Sequence, residues 1–166
     1  MFRAVNGLPR FLYAPVWVVM QLGSGLAIPV IGGVAFVFRR VRLAVGLAVA
    51  GGAANVLASV FKSVVRRGRP SALLTHVTVR GGLVTGNGYP SGHTAVAFAL
   101  ATVVALWFGA RSRFSRLALA AAAVVGFARL YVGAHFPLDV VGGAALGTIC
   151  GAIAALVLRR GHSVAG

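Results

Sequence analysis

The chain holds a single carboxylate side chain, Asp139, set against sixteen Lys and Arg. It closes the stretch "ARLYVGAHFPLD", four residues after His135. Pro137 suits the first turn of a helix, where its missing N–H costs nothing, so Asp139 falls in that turn and His135 just ahead of it. A carboxylate so placed can accept a hydrogen bond from one imidazole nitrogen, leaving the other unprotonated and able to attack. Arg129, earlier in the same stretch, lies in an apolar run, where a guanidinium must face a polar cavity or snorkel to the headgroups. A second stretch, "YPSGHT", puts Pro90, Ser91, Gly92 and His93 at a helix N-terminus. Unpaired N–H groups and the positive dipole end bind oxyanions there, Ser91 adds a donor, and Gly92 permits close approach; alone, the same tetrapeptide is also an ordinary helix start. A third, "KSVVRRGRP", spaces Lys62, Arg66 and Arg69 along one helix face as far as Gly68, after which Pro70 pushes Arg69 towards an extended conformation. Such a cluster repels itself unless it holds an anion; the competing reading is a basic end anchored to anionic headgroups.

The elements that must position these groups are membrane helices. Of 166 residues, 59% are hydrophobic and 10% charged, with a mean hydropathy of +0.93, too apolar for an ordinary water-soluble domain. A net charge of +15 raises nucleic acid as a partner, but the arginines stand in short clusters between long apolar runs, as in membrane proteins, with no basic face or binding module. Nucleic acid is therefore not expected. Cys150, the one cysteine, cannot form an intrachain disulfide and reads as a small packed residue.

Five segments are long enough to span, at about 15 to 38, 43 to 65, 92 to 109, 116 to 133 and 138 to 158, given about 20 apolar residues per crossing. Residues 1 to 14 are too few and read as an interfacial segment; no cleavable signal peptide is expected. The Gly- and Pro-rich stretch between the second and third segments reads as a surface loop. Gly143, Gly147 and Gly151 recur every fourth position and predict a face for close helix packing. The expected fold is thus an all-α, polytopic transmembrane bundle occupying residues 1–166 as one domain. Alternating helix directions bring Lys62, Arg69, Ser91, His93, Arg129, His135 and Asp139 to one membrane face. Asn55, midway along the second segment, reads as a polar group packed between helices; Arg66 and Arg67 read as headgroup anchors, and His76 and His162 as surface histidines.

The order Lys-x6-Arg-Pro, Pro-Ser-Gly-His, Arg-x5-His-x3-Asp resembles the type 2 phosphatidic acid phosphatase (PAP2) superfamily, which includes glucose-6-phosphatase and the vanadium-dependent haloperoxidases. The motifs run from Lys62 to Asp139. The resemblance implies a metal-independent, cofactor-free phosphatase. Lys62, Arg69, Ser91, the Gly92 amide and Arg129 would hold the phosphoryl oxygens, and His135 would be the nucleophile that becomes phosphohistidine. Asp139 would orient it, and His93 would protonate the leaving oxygen and later activate water. The family's third motif usually opens with Ser where this chain has Ala128, and many membrane members have one helix more.

The cations split eight against eight between the two faces. Setting aside Lys62, Arg69 and Arg129 as site residues tips the balance, so the positive-inside tendency puts the site on the extracytoplasmic side of a plasma membrane. The expected substrate is a membrane lipid phosphate: an isoprenoid diphosphate, which carrier recycling on that side favours, a phosphatidic acid or a phosphatidylglycerol phosphate. The alternatives are a lipid phosphotransferase with the same phosphohistidine chemistry and a non-catalytic membrane scaffold.

Overall fold

The computed structural model describes residues 1–82 and 85–160, with the side chains of 159 and 160 left aside; His162 lies outside these residues. Every regular element is helical: α1 (Phe2–Asn6), α2 (Tyr13–Met20), α3 (Ala27–Val37), α4 (Val41–Val65), the short α5 (Pro70–Leu73), α6 (Gly92–Phe108), α7 (Arg113–Tyr131) and α8 (Pro137–Arg160), with single 3-10 turns at Arg10–Leu12 and Gln21–Gly23. Three helices are long and apolar enough to cross a membrane: α4 with its extension to Leu73, α7, and α8. α6 is apolar but has 17 residues, about 25 Å of helix, a crossing that needs a locally thin bilayer.

The first expected span is not one helix. Residues Arg10–Gly23 and Ala27–Val37 meet at a bend of 69°. The break falls in "QLGSGL", where two glycines and a serine replace the apolar run and the Ser24 hydroxyl donates to the Gln21 carbonyl at 2.7 Å. A Cβ at Gly23 would overlap the His93 carbonyl, so glycine lets this turn lie against the start of α6. Before the bend the chain packs on α7; beyond it α3 packs on α4.

α6 and α8 form the tightest pair, and the Gly143, Gly147 and Gly151 face lies between them. A Cβ at Gly143 would stand 2.5 Å from the Ser91 carbonyl and one at Gly151 2.6 Å from the Ala99 carbonyl, while one at Gly147 would overlap the Ala95 carbonyl. The core between α3, α4, α6 and α8 is accordingly built of small side chains, among them Ala50, Ala54, Ala95, Ala99 and Ala154, with Leu47 and Leu100 filling between them.

The N-terminal segment is pinned at the site face. Asn6, 4% exposed, donates to the carbonyls of Thr78 (2.8 Å) and Tyr131 (3.0 Å) and accepts from the Thr78 N–H at 2.9 Å. Arg80 donates to the carbonyls of Asn6, Leu8 and Tyr131 and stacks 4.2 Å from the Tyr131 ring centre.

Asn55 departs from expectation. It is exposed on α4 instead of packed between helices, because the buried face of that helix runs through Leu47, Ala50, Gly51, Ala54 and Ala58, and position 55 lies about 100° away from position 54.

Candidate active site

α4 ends where Arg66 turns left-handed, φ 49° and ψ 30°. That turn carries Arg66 out to solvent, where its Nε donates to the Ser63 carbonyl, so the expected three-cation helix face loses its middle member. Lys62 stays, its Nζ 3.5 Å from where a Cβ on Gly92 would stand. Arg69 then comes back towards the bundle: extended before Pro70, φ −79° and ψ 164°, it points a buried guanidinium inward. Nε donates to the Thr85 carbonyl and Nη1 to the Ala134 carbonyl, both at 3.0 Å.

Ser91 precedes α6, fully buried. Its N–H donates to the Asp139 carbonyl at 2.8 Å, tying the start of α6 to the start of α8. Its Oγ accepts from the Thr94 hydroxyl at 2.9 Å, which leaves the Ser91 proton free for another acceptor. His93, in the first turn of α6, is near enough to Lys62, Arg69, Arg129 and His135 to feel their charges.

Arg129 ends α7, 8% exposed. Its Nη1 faces the Met20 sulfur at 3.1 Å, a weak acceptor, and among the described residues its buried Nε has no partner. A buried guanidinium N–H left unmet is costly, and a bound anion would meet it.

His135 is 2% exposed and Asp139 not at all. Nε2 of His135 stands 3.4 Å from Nη1 of Arg69. Arginine only donates, so Nε2 is the lone-pair nitrogen and the ring proton belongs on Nδ1. Nδ1 points at Asp139 Oδ2 from 3.6 Å, just beyond hydrogen-bond length, and is otherwise unpartnered among the described residues. Burial pushes the His135 pKa down to about 4, with Arg129 and Arg69 adding to the fall and Asp139 opposing it; the ring is neutral at pH 7.

The structure therefore brings Lys62, Arg69, Ser91, Gly92, His93, Arg129, His135 and Asp139 to one place. Sequence reasoning missed the role of Arg67. Its Nη1 meets Asp139 Oδ1 at 3.1 Å, while the Phe136 N–H donates to Oδ2 at 2.8 Å, and the guanidinium stacks 5.1 Å from the Phe136 ring centre. The available signal was electrostatic: a lone buried carboxylate needs a full positive charge near it, which a neutral histidine does not provide. His76 is exposed, as expected.

Known proteins of similar sequence and shape fit this arrangement. The family model for the PAP2 superfamily matches residues 27–162. A lipid A 1-phosphatase from Porphyromonas gingivalis is 44% identical over 39% of this chain and 15% of its own length. One from Rhizobium etli is 31% identical over 64% of this chain and 46% of its own length. The chain thus spans less than half the length of the curated relatives it matches. The crystal structure of Aquifex aeolicus LpxE superposes with a TM-score of 0.82 at 32% identity, covering 92% of this chain and 91% of that one. A PAP2-type phosphatidylglycerolphosphate phosphatase from Bacillus subtilis shares the fold, with a TM-score of 0.78 at 22% identity over 96% of this chain and 83% of that one.

Proposed function

This chain belongs to the PAP2 superfamily, and from that premise we propose that it is an integral membrane lipid phosphatase working through a phosphohistidine. The observation that carries the reading is the neutral, buried His135, its lone pair turned towards Arg69 and its ring proton towards Asp139. Lys62, Arg69, Arg129, the Ser91 hydroxyl and the Gly92 N–H hold the phosphoryl oxygens and offset the charge that gathers on them in the transition state. Nε2 of His135 attacks phosphorus, the bond to the lipid oxygen breaks, and His93 gives that oxygen its proton. The positive imidazolium is stabilised by Asp139, which Arg67 and the Phe136 N–H hold in place. His93 then takes a proton from water as the water oxygen attacks phosphorus, the Nε2–P bond breaks with its electron pair returning to His135, and inorganic phosphate leaves. Three site cations supply the positive charge the reaction needs, so the proposal includes metal independence.

The relatives' names support a lipid phosphate substrate: lipid A 1-phosphatase in two curated proteins, phosphatidylglycerolphosphate phosphatase in one structure. The charge count supports an extracytoplasmic site. On the site face Arg67 and Arg80 are also committed, to Asp139 and to the N-terminal segment, which deepens the imbalance towards the other face.

The test is phosphate release by purified protein from phosphatidic acid, phosphatidylglycerol phosphate and an isoprenoid diphosphate, in excess chelator. Release is expected, with a phosphorylated histidine trapped on rapid alkaline quench, where the P–N bond survives. A strict need for a divalent metal overturns the mechanism, and transfer of phosphate to an added acceptor with no inorganic phosphate formed makes the protein a phosphotransferase.

A further inference from the structure

The exposed polar strip on α4 bears on which lipid the site accepts. Asn55 is seven residues before Lys62, so it lies on nearly the same helix face about 10 Å deeper in the membrane. Ser59 lies between them, and both Asn55 and Ser59 are exposed. Among the described residues the Asn55 carboxamide has no hydrogen-bond partner, while its backbone carbonyl accepts from the Ser59 hydroxyl at 3.0 Å. The bend explains why the described residues leave this strip uncovered. Ile28, at the start of α3, packs against Gly51, one turn short of Asn55, and the chain before the bend turns away to α7. An amide facing hydrocarbon is unfavourable unless it is met.

We propose that Asn55, with Ser59 beside it, is a specificity-determining residue that hydrogen-bonds carbonyl or hydroxyl oxygens of the substrate lipid within about 10 Å of its phosphate. The inference rests on the reading of the site as a lipid phosphatase centre. The strip starts at Lys62, which holds the phosphate, and descends along the lipid-facing side of the same helix, so a lipid whose phosphate is bound lays its next nanometre of chain against it. A diacylglycerol phosphate carries its ester carbonyls a few bonds from phosphorus, between the depths of Ser59 and Asn55, and an acylated-sugar phosphate carries amide and hydroxyl oxygens further down; a polyprenyl phosphate carries only hydrocarbon. The strip therefore selects acylated lipids over isoprenoid ones, against the preference that carrier recycling alone suggests.

The experiment compares the wild type with Asn55→Leu, which suits a lipid-facing helix position, and Asn55→Gln, on a diacyl phosphatidic acid and a polyprenyl monophosphate offered in competition. The expected result is a fall of about five-fold in the phosphatidic acid to polyprenyl ratio of kcat/KM for Asn55→Leu, the worth of one neutral hydrogen bond, partly recovered in Asn55→Gln. An unchanged ratio overturns the inference and leaves the phosphatase reading standing. An unchanged ratio accompanied by a drop in oligomeric mass assigns Asn55 to a contact between two copies instead. Release of phosphate by the wild type from neither lipid, nor from lipid A, overturns the phosphatase reading itself and this inference with it.

Discussion

At the scale of single residues the site turns on how Asp139 is shared. Its two oxygens are taken by Arg67 and the Phe136 N–H, and its contact with His135 Nδ1 is the loosest of the three, at 3.6 Å. In the proposed mechanism His135 becomes an imidazolium, the carboxylate answers a full positive charge and that contact tightens, so on this proposal Asp139 matters more to the phosphorylated state than to the resting one. Asp139→Asn is expected to leave the bundle folded and slow phosphohistidine formation by about 10²- to 10⁴-fold, the usual worth of such a group, measured by rapid-quench single turnover; an unchanged rate removes its role. Arg67→Gln is expected to lower kcat about ten-fold, as partial loss of a charge-assisted contact, with Arg67→Lys recovering most of it in steady-state assays. The depressed pKa of His135 has a stability consequence whose sign is definite. Between its unfolded value of 6.5 and about 4, the unfolded chain binds a proton that the folded one refuses. The stability contributed by the neutral ring is therefore present above pH 6.5 and lost as pH falls through that window. Thermal melts from pH 7 to 4.5 should show a shallower loss for His135→Asn than for the wild type.

At the scale of elements, much was legible from the sequence and the exceptions have physical causes. The helix over 43 to 65, the extended Arg69 before Pro70, the helix starts at Gly92 and Pro137, and the Gly143, Gly147 and Gly151 face all follow from local chemistry: proline geometry, dipole ends and small residues at period four. What composition hid was the break at Gly23 to Gly25. A hydropathy window averages over Gly23 and Gly25, whereas the requirement for glycine at position 23 comes from the His93 backbone, seventy residues later in the chain. The convergence of the candidate site residues was legible for the same reason that Arg67 was not: spaced motifs bring out the candidate reacting groups, but the residue that neutralises a buried acid depends on how the turn after Arg66 is directed. The glycine contacts permit a contrast. Gly147→Val, which drives a branched side chain into the Ala95 carbonyl, is expected to unfold or strongly destabilise the protein. Gly52→Ala, with open space around it, is expected to be neutral or to stabilise by up to about 1 kcal/mol, read by thermal denaturation in the same detergent.

At the scale of the whole molecule, the cations outside the site gather mainly on the face away from it. The face opposite the site carries Arg39, Arg40, Arg42, Arg111, Arg113 and Arg116 close to helix ends, and the proposed extracytoplasmic orientation rests on this asymmetry. Cys150 lies within α8, so a single Thr85→Cys change beside Arg69 offers a surface thiol to a membrane-impermeant maleimide. Labelling in intact cells is expected, and protection until lysis reverses the assigned orientation. The staple around Asn6 links this topology to the order in which the chain is made. Its partners lie 72 and 125 residues further along, so the N-terminal segment emerges from the ribosome long before anything exists to hold it. It waits at the membrane surface while four helices insert, and docks only when the end of α7 and the loop around Thr78 have arrived. Its seating is then a late event in biogenesis, and a nascent chain halted before residue 131 would hold every cation of the first motif without the clasp that closes the site.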